Sequence, residues 1–207
     1  MFNIESIIDN FQVFDARHTN SILDHNMYNS GEKKILYVVA GPNGSGKSTF
    51  IANLYLNSDL GCKYINADVY ARTIFSHLKD IKERNYKAMH YTMDIMDQFK
   101  RTGDSLIYET VFSHPSKLDI IKGYKENGYN IVGVFVTTTD ALINIERVAK
   151  RVSEGGHDVD RQKIKDRFKR SNALKSSLKE ICDIYYEIDN SLLPKVIDIK
   201  NDIERTK

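Results

Sequence analysis

The chain has 207 residues, a length for one globular domain with at most a short extension. Hydrophobic residues at 41% and charged residues at 28% exclude a disordered or collagen-like chain and predict a real core. Lys and Arg number 30 against 28 Asp and Glu, a net charge of +2 that gives no reason to expect nucleic acid or a membrane surface as partner. The longest stretch without Asp, Glu, Lys or Arg runs from Asn127 to Thr139, well short of the roughly 20 apolar residues that span a bilayer. The first residues, MFNIESIIDNF, carry Glu5 and Asp9 where a secretory signal would be positive, so a cytoplasmic protein is expected. Cys62 and Cys182 stand far apart with no clustered Cys or His, which predicts two reduced thiols rather than a disulfide or a zinc site.

Residues 1–33 read as an N-terminal helical extension. Ile4, Ile7, Ile8, Phe11 and Phe14 share one helical face, and the polar residues 15–33 show no period. The simplest expectation is an extra helix packed on the core. The domain proper is expected over 34–207. Its first strand is Lys34–Ala40, a β-branched apolar run delivered into Gly41-Pro42. Similar runs occur at Tyr64–Ala67, Ser105–Glu109, Asn130–Val136 and Val196–Ile199. Between them lie helical stripes. Leu118, Ile120, Ile121 and Tyr124 precede Gly128, and Ala141, Leu142, Ile145, Val148, Ala149 and Val152 stop at Gly155-Gly156. Strands alternating with helices of this length predict an α/β fold of three layers around a mainly parallel five-stranded sheet.

Gly41, Pro42, Asn43, Gly44, Ser45, Gly46, Lys47 and Ser48 fit G-x-x-x-x-G-K-[ST], and Thr49 follows. The motif lies where its mechanism needs it, between a buried strand and a helix start. Its glycines let the backbone wrap around phosphate oxygens at a helix N-terminus. Lys47 is expected to bridge the β- and γ-phosphates of ATP, and the Ser48 hydroxyl to be a ligand of Mg²⁺. The chain lacks the NKxD motif of GTPases, the LSGGQ signature of transporter ATPases and a strand ending in paired Asp-Glu. A P-loop protein of this size without those features points, by fold analogy, to a kinase acting on a small molecule.

On the acceptor side, Asp68 follows the second strand, where carboxylates can take the proton of an attacking hydroxyl. It could equally cap a helix beginning at Val69, and position alone leaves both readings open. Glu109, closing the third strand ahead of Thr110, could bind a substrate hydroxyl or support Mg²⁺ through water, or be a solvated strand-end charge. From Arg147 to Arg170 there are nine Lys or Arg against four Asp or Glu, interrupted by Gly155-Gly156-His157. This reads as a basic lid on a hinge, with Arg151 and Arg167 the foremost candidates for phosphate and His157 a further donor. The competing reading is a set of charges that solvate outer helix faces. Two functional classes stay open: a kinase, and a nucleotide-controlled interaction protein with little turnover.

GPNGSGKST at 41–49, INAD at 65–68, YET at 108–110, RVSEGGHDV at 151–159, the I-x-x-R of Ile164 to Arg167 and IDNS at 188–191 together resemble the zeta toxin family in its short form. The resemblance implies an ATP-dependent kinase of a bacterial toxin–antitoxin system that phosphorylates a nucleotide sugar such as UDP-N-acetylglucosamine on the 3'-hydroxyl of its amino sugar. It implies Asp68 as base, Glu109 with Thr110 at the acceptor, Lys47 with Arg151 and Arg167 on the phosphates, and a helical antitoxin as partner. The chain departs from some zeta toxins by placing His157 where they carry a phosphate-binding arginine, and a neutral imidazole lacks the paired donors of a guanidinium. Because antitoxins of such systems cover the nucleotide site, the N-terminal helix on its polar tether has a second reading as a built-in inhibitor.

Overall fold

The structure, a computed structural model, describes residues 34–57, 62–156 and 158–202. The expected N-terminal helix and His157 lie outside the described residues. β1 (Ile35–Ala40) is buried along its whole length, and its residues alternate between two cores. Leu36, Val38 and Ala40 join one, whereas Ile35, Tyr37 and Val39 join the other. A strand apolar on both sides is what a parallel sheet covered on both faces requires. Each fully buried large side chain, such as Leu36 or Ile107, contributes roughly 1.5–3 kcal/mol relative to exposure.

The P-loop leads from β1 into α1 (Lys47–Asn57). The chain continues through β2 (Lys63–Ile65), α2 (Ala67–Thr73), α3 (Ile81–Thr102), β3 (Leu106–Thr110), α4 (Ser116–Glu126) and β4 (Asn130–Thr137), then α5 (Ala141–Ser153), α6 (Arg161–Ile181), β5 (Ile184–Asp189) and β6 (Lys195–Asn201). The sheet order is β2-β3-β1-β4-β5-β6. Five strands are parallel, and β6 pairs antiparallel to β5 at the edge. Met96 of α3, Ile121 and Tyr124 of α4 and Leu178 of α6 fill one core, and Phe50, Ile51 and Leu54 of α1 fill the other. Ile145 and Val148 of α5 meet Ile164 of α6 in a third, smaller cluster. These helices enclose the sheet from both sides as a three-layer α/β domain.

The expected five strands are thus six. The missed strand is β5, whose apolar run is interrupted by Glu187. That carboxylate is only 5% exposed, and Lys175 of α6 reaches it at 2.6 Å. The expected fifth strand is β6. β1 runs beside β3 with Val39 opposite Glu109 and Ala40 opposite Thr110, which brings the third strand's carboxylate next to the P-loop. The helix over 141–153 ends before Gly155 (φ 85°). Leu142 of its expected apolar stripe, however, is 52% exposed. Cys182 is buried, Cys62 is half-buried and both are free thiols.

Candidate active site

The parallel strands deliver their C-terminal ends to one edge, where a cleft of about 410 Å³ opens. Its walls include Asn43, Gly44, Gly46, Lys47, Ser48 and Thr49 from the P-loop. Asp68 and Arg72 of α2, Glu109 and Thr110 of β3, and Arg147, Lys150 and Arg151 of α5 line it as well. The P-loop needs glycine at its start. Gly41 has φ 141°, and a Cβ there would stand 1.9 Å from the Val136 carbonyl oxygen, so no side chain fits. Two asparagines fasten the loop from outside. Asn144 Nδ2 donates to the Asn43 carbonyl at 2.6 Å, and Asn190 Nδ2 donates to the Ser45 carbonyl at 2.8 Å. Thr138 Oγ1 donates in turn to Asn144 Oδ1. The loop's carbonyls are thereby engaged away from the cleft, which holds the wrapped backbone conformation that suits an anion.

Lys47 is buried, and its Nζ donates to the Pro42 carbonyl at 2.9 Å. Burial pulls its pKa below the ordinary lysine value, opposed by the charges of Glu109 and Asp68 and reinforced by Arg151 and Arg167. Both expected acidic groups and both expected arginines therefore act on this one ammonium. Arg167, from α6, donates to Asn43 Oδ1 at 3.0 Å, so α6 rests on the P-loop. Arg151 has its pKa lowered by burial and by Arg72, against the pull of Asp68, Glu109 and Asp158.

Glu109 is not the solvated strand-end charge that one reading allowed. It is 9% exposed, and its carboxylate accepts from Ser48 Oγ at 3.0 Å, from Asn66 Nδ2 at 2.9 Å and from the Tyr64 hydroxyl. Asn66 Nδ2 also donates to the Tyr64 oxygen at 2.8 Å. Burial, then the charge and hydrogen bond of Glu109, push the Tyr64 hydroxyl well above the usual tyrosine range, so it stays a protonated donor. Thr110 lines the cleft, but its Oγ1 accepts from Phe112 N at 3.2 Å. Phe112 itself sits at φ 55°, a conformation unfavourable for a bulky side chain and one that turns the chain sharply away from β3.

For Asp68 the structure separates the two readings of its position. Asn66, not Asp68, is the N-cap of α2, accepting from Asp68 N at 2.8 Å. Asp68 occupies the first turn, is exposed and faces the cleft wall. Tyr64, Asn66, Arg72, Asn144 and Asn190 complete the arrangement, although sequence reasoning assigned them no role. Asn66 and Asn190 lie inside the INAD and IDNS motifs, which was the available signal for two of them.

The Ser48 hydroxyl beside the Glu109 carboxylate is a pair of hard oxygen donors of the type Mg²⁺ favours. Among the described residues no group of three or more His, Cys, Asp or Glu could hold a metal ion. None of the described helices is long and apolar enough to cross a membrane.

Comparison with solved structures places this architecture among P-loop kinase-like folds. A chain of the AvrRxo1-ORF1:ORF2 complex with ATP superposes with a TM-score of 0.66 at 14% identity, over 96% of this chain and 66% of that one, just under two thirds of its length. A chain of the PezAT chromosomal toxin–antitoxin system of Streptococcus pneumoniae gives 0.62 at 14% identity, over 96% and 82%. One from the Pnkp1/Rnl/Hen1 RNA repair complex gives 0.59 at 17%, over 86% and 52%. At such identities these likenesses establish the fold. No curated protein matches the sequence. The zeta toxin family model, by contrast, matches residues 19–203, a span that contains the P-loop, both acidic residues and the two arginines around Lys47. The chain therefore belongs to the zeta toxin family.

Proposed function

We propose that this kinase transfers the γ-phosphate of ATP to a hydroxyl of a nucleotide sugar such as UDP-N-acetylglucosamine, and that an antitoxin protein restrains it. The observation that carries this reading is the meeting of Ser48, Lys47, Asp68 and Glu109 in one cleft at the end of the P-loop strand. ATP as donor is supported by the P-loop and by the ATP in the similar AvrRxo1 complex. The antitoxin is supported by the two-component nature of the PezAT system. Asp68 takes the proton of the acceptor hydroxyl as that oxygen attacks phosphorus in line with the leaving oxygen. Glu109, oriented by Tyr64 and Asn66, accepts from a neighbouring acceptor hydroxyl and fixes the attacking group beside Asp68. Lys47, Arg151 and Arg167 oppose the negative charge on the transferring and leaving phosphates. Ser48 and, through water, Glu109 would hold Mg²⁺, which when bound with the nucleotide neutralises phosphate charge. Burial of Lys47 strengthens its attraction for the anion, since low local dielectric raises charge interactions.

Incubating the protein with γ-labelled ATP, first with UDP-N-acetylglucosamine and then with a bacterial metabolite extract, tests the reading. Label in a phosphomonoester of the nucleotide sugar supports it. Label in a different small molecule keeps the kinase and replaces the acceptor. Absence of transfer to any hydroxyl compound would favour a nucleotide-controlled interaction protein instead.

A further inference from the structure

Of the residues that line the cleft, all but two are polar, charged or glycine, and the exceptions are Val111 and Val148. Val148 is 3% exposed and packs with Ile145 and Ile164 in the small cluster between α5 and α6. Val111 is half-buried and joins none of the three apolar clusters of the described residues. The apolar surface it keeps therefore belongs to the cleft wall and not to the core.

The chain holds Val111 there against a conformational cost. Phe112, at φ 55°, lies in the left-handed region that a bulky residue avoids, yet it is 1% exposed, in the same core cluster as Tyr108 and Ile121. Burial of that ring offsets the strain and turns the chain away from β3 just after Val111. Two hydrogen bonds fix the turn. Phe112 N donates to Thr110 Oγ1 at 3.2 Å, and the fully buried Ser171 of α6 donates from Oγ to the Val111 carbonyl at 2.7 Å. Backbone strain maintained in this way concentrates where a side chain is held for a ligand.

β3 lies between β1, which leads into the P-loop, and β2, which leads to Asp68. Val111 follows Glu109 and Thr110 directly, and all three line the cleft with Asp68. We infer that Val111 is the specificity residue of the acceptor site: its methyl groups pack against an apolar substituent, such as an acyl methyl, carried next to the reacting hydroxyl. In a wall that is otherwise polar, this one apolar contact favours an acceptor bearing such a group. An acceptor with a hydroxyl in its place gives up water there and gains no partner. The inference rests on the nucleotide-sugar reading above and goes beyond it by assigning the choice between sugars to one side chain.

The test compares steady-state phosphorylation of UDP-N-acetylglucosamine, which carries an acyl methyl beside its hydroxyl, with that of UDP-glucose, which carries a hydroxyl at that place. The full chain is used as wild type, Val111→Thr and Val111→Ala. Threonine keeps the shape of valine and exchanges one methyl for a hydroxyl. Wild type is expected to favour the acylated sugar by about tenfold or more in kcat/KM. Both variants lower that preference about tenfold through a higher KM for the acylated sugar at unchanged kcat, as loss of a contact made equally in ground and transition states requires. ATP affinity by calorimetry stays within about twofold. A wild-type preference in the variants overturns the assignment. So does an equal loss for both sugars or a larger fall in ATP affinity, since Val111 would then only shape the cleft. A wild type that phosphorylates both sugars equally overturns it and leaves the nucleotide-sugar reading intact, whereas a wild type that phosphorylates neither removes that reading and the assignment together.

Discussion

Ser48, at the start of α1, and Glu109, at the end of β3, are joined by a hydrogen bond of 3.0 Å although 61 positions separate them. The bond exists because β3 lies directly beside β1, which sets Val39 opposite Glu109 and lets the P-loop turn back over the neighbouring strand's end. One carboxylate thus joins the start of α1 to the end of β2. Its orientation depends on Tyr64 and Asn66 at the end of β2.

Tyr64→Phe is expected to keep the fold and to disturb Glu109. A hydrogen bond to a charged group is worth about 1.5–3 kcal/mol, and a loosened carboxylate positions the acceptor poorly. Initial rates of label transfer should fall about tenfold or more, whereas ATP affinity by calorimetry should stay within about twofold. An unchanged rate would mean that Asn66 and Ser48 suffice to orient Glu109.

Asn144→Ala is expected to damage both stability and nucleotide binding. Asn144 is fully buried and joins the Asn43 carbonyl to Thr138 Oγ1. Its loss takes this donor from the Asn43 carbonyl and leaves Thr138 Oγ1 only the Asp140 carbonyl at 3.1 Å, at a cost of about 1–3 kcal/mol. At about 2–4 °C per kcal/mol for a domain of this size, the melting temperature should drop by several degrees. ATP affinity should fall as well, because the P-loop loses one of its two outer anchors. A variant with wild-type melting and wild-type affinity would remove Asn144 from this role.

The parts of the fold that sequence displays are those with local chemistry. The P-loop motif, the all-apolar β1 and the glycine stops after α4 and α5 are contiguous patterns, and each stands where the sequence predicts. β5 is harder to see because Glu187 is neutralised by Lys175, a partner supplied by a helix packed across the strand. The same reason hides the anchors of the site. Asn144 meets Asn43 across 101 positions, Asn190 meets Ser45 across 145, and Tyr64 meets Glu109 across 45. Asparagine and tyrosine at these points carry no periodic or spacing signal, since their partners are created only when the sheet assembles. Asp68 was ambiguous from position alone because its neighbour Asn66 competes for the cap, and only the backbone geometry shows which of them takes it.

Cys182 gives a pH-dependent prediction. It packs against β4 at Gly133, where a Cβ would come within 2.4 Å of its sulfur. Burial pushes its thiol up from 9.0 to about 12, with Lys200 and Lys125 opposing the shift and Asp183 adding to it. Cys62 is raised by burial to about 11. Between pH 9 and about 12 the unfolded chain loses the Cys182 proton while the folded one keeps it, so this group lowers stability as pH rises through that window. At pH 8 neither thiol should react quickly with a disulfide reagent in the native protein, and Cys182 should be labelled only as fast as the chain opens. Rapid labelling of Cys182 at pH 8 without denaturant would contradict its placement.

The central claim is that Asp68 is the base of a phosphoryl transfer carried out in this cleft, and a single-turnover comparison of wild type with Asp68→Asn tests it most directly. Asparagine keeps the size of the side chain and leaves the Asn66 cap of α2 intact, so ATP affinity should be essentially preserved. The account predicts that transfer of label from ATP to the acceptor falls about 10²- to 10⁴-fold, the usual contribution of a positioned general base. Transfer by Asp68→Asn at the wild-type rate, with ATP bound equally well, would contradict it.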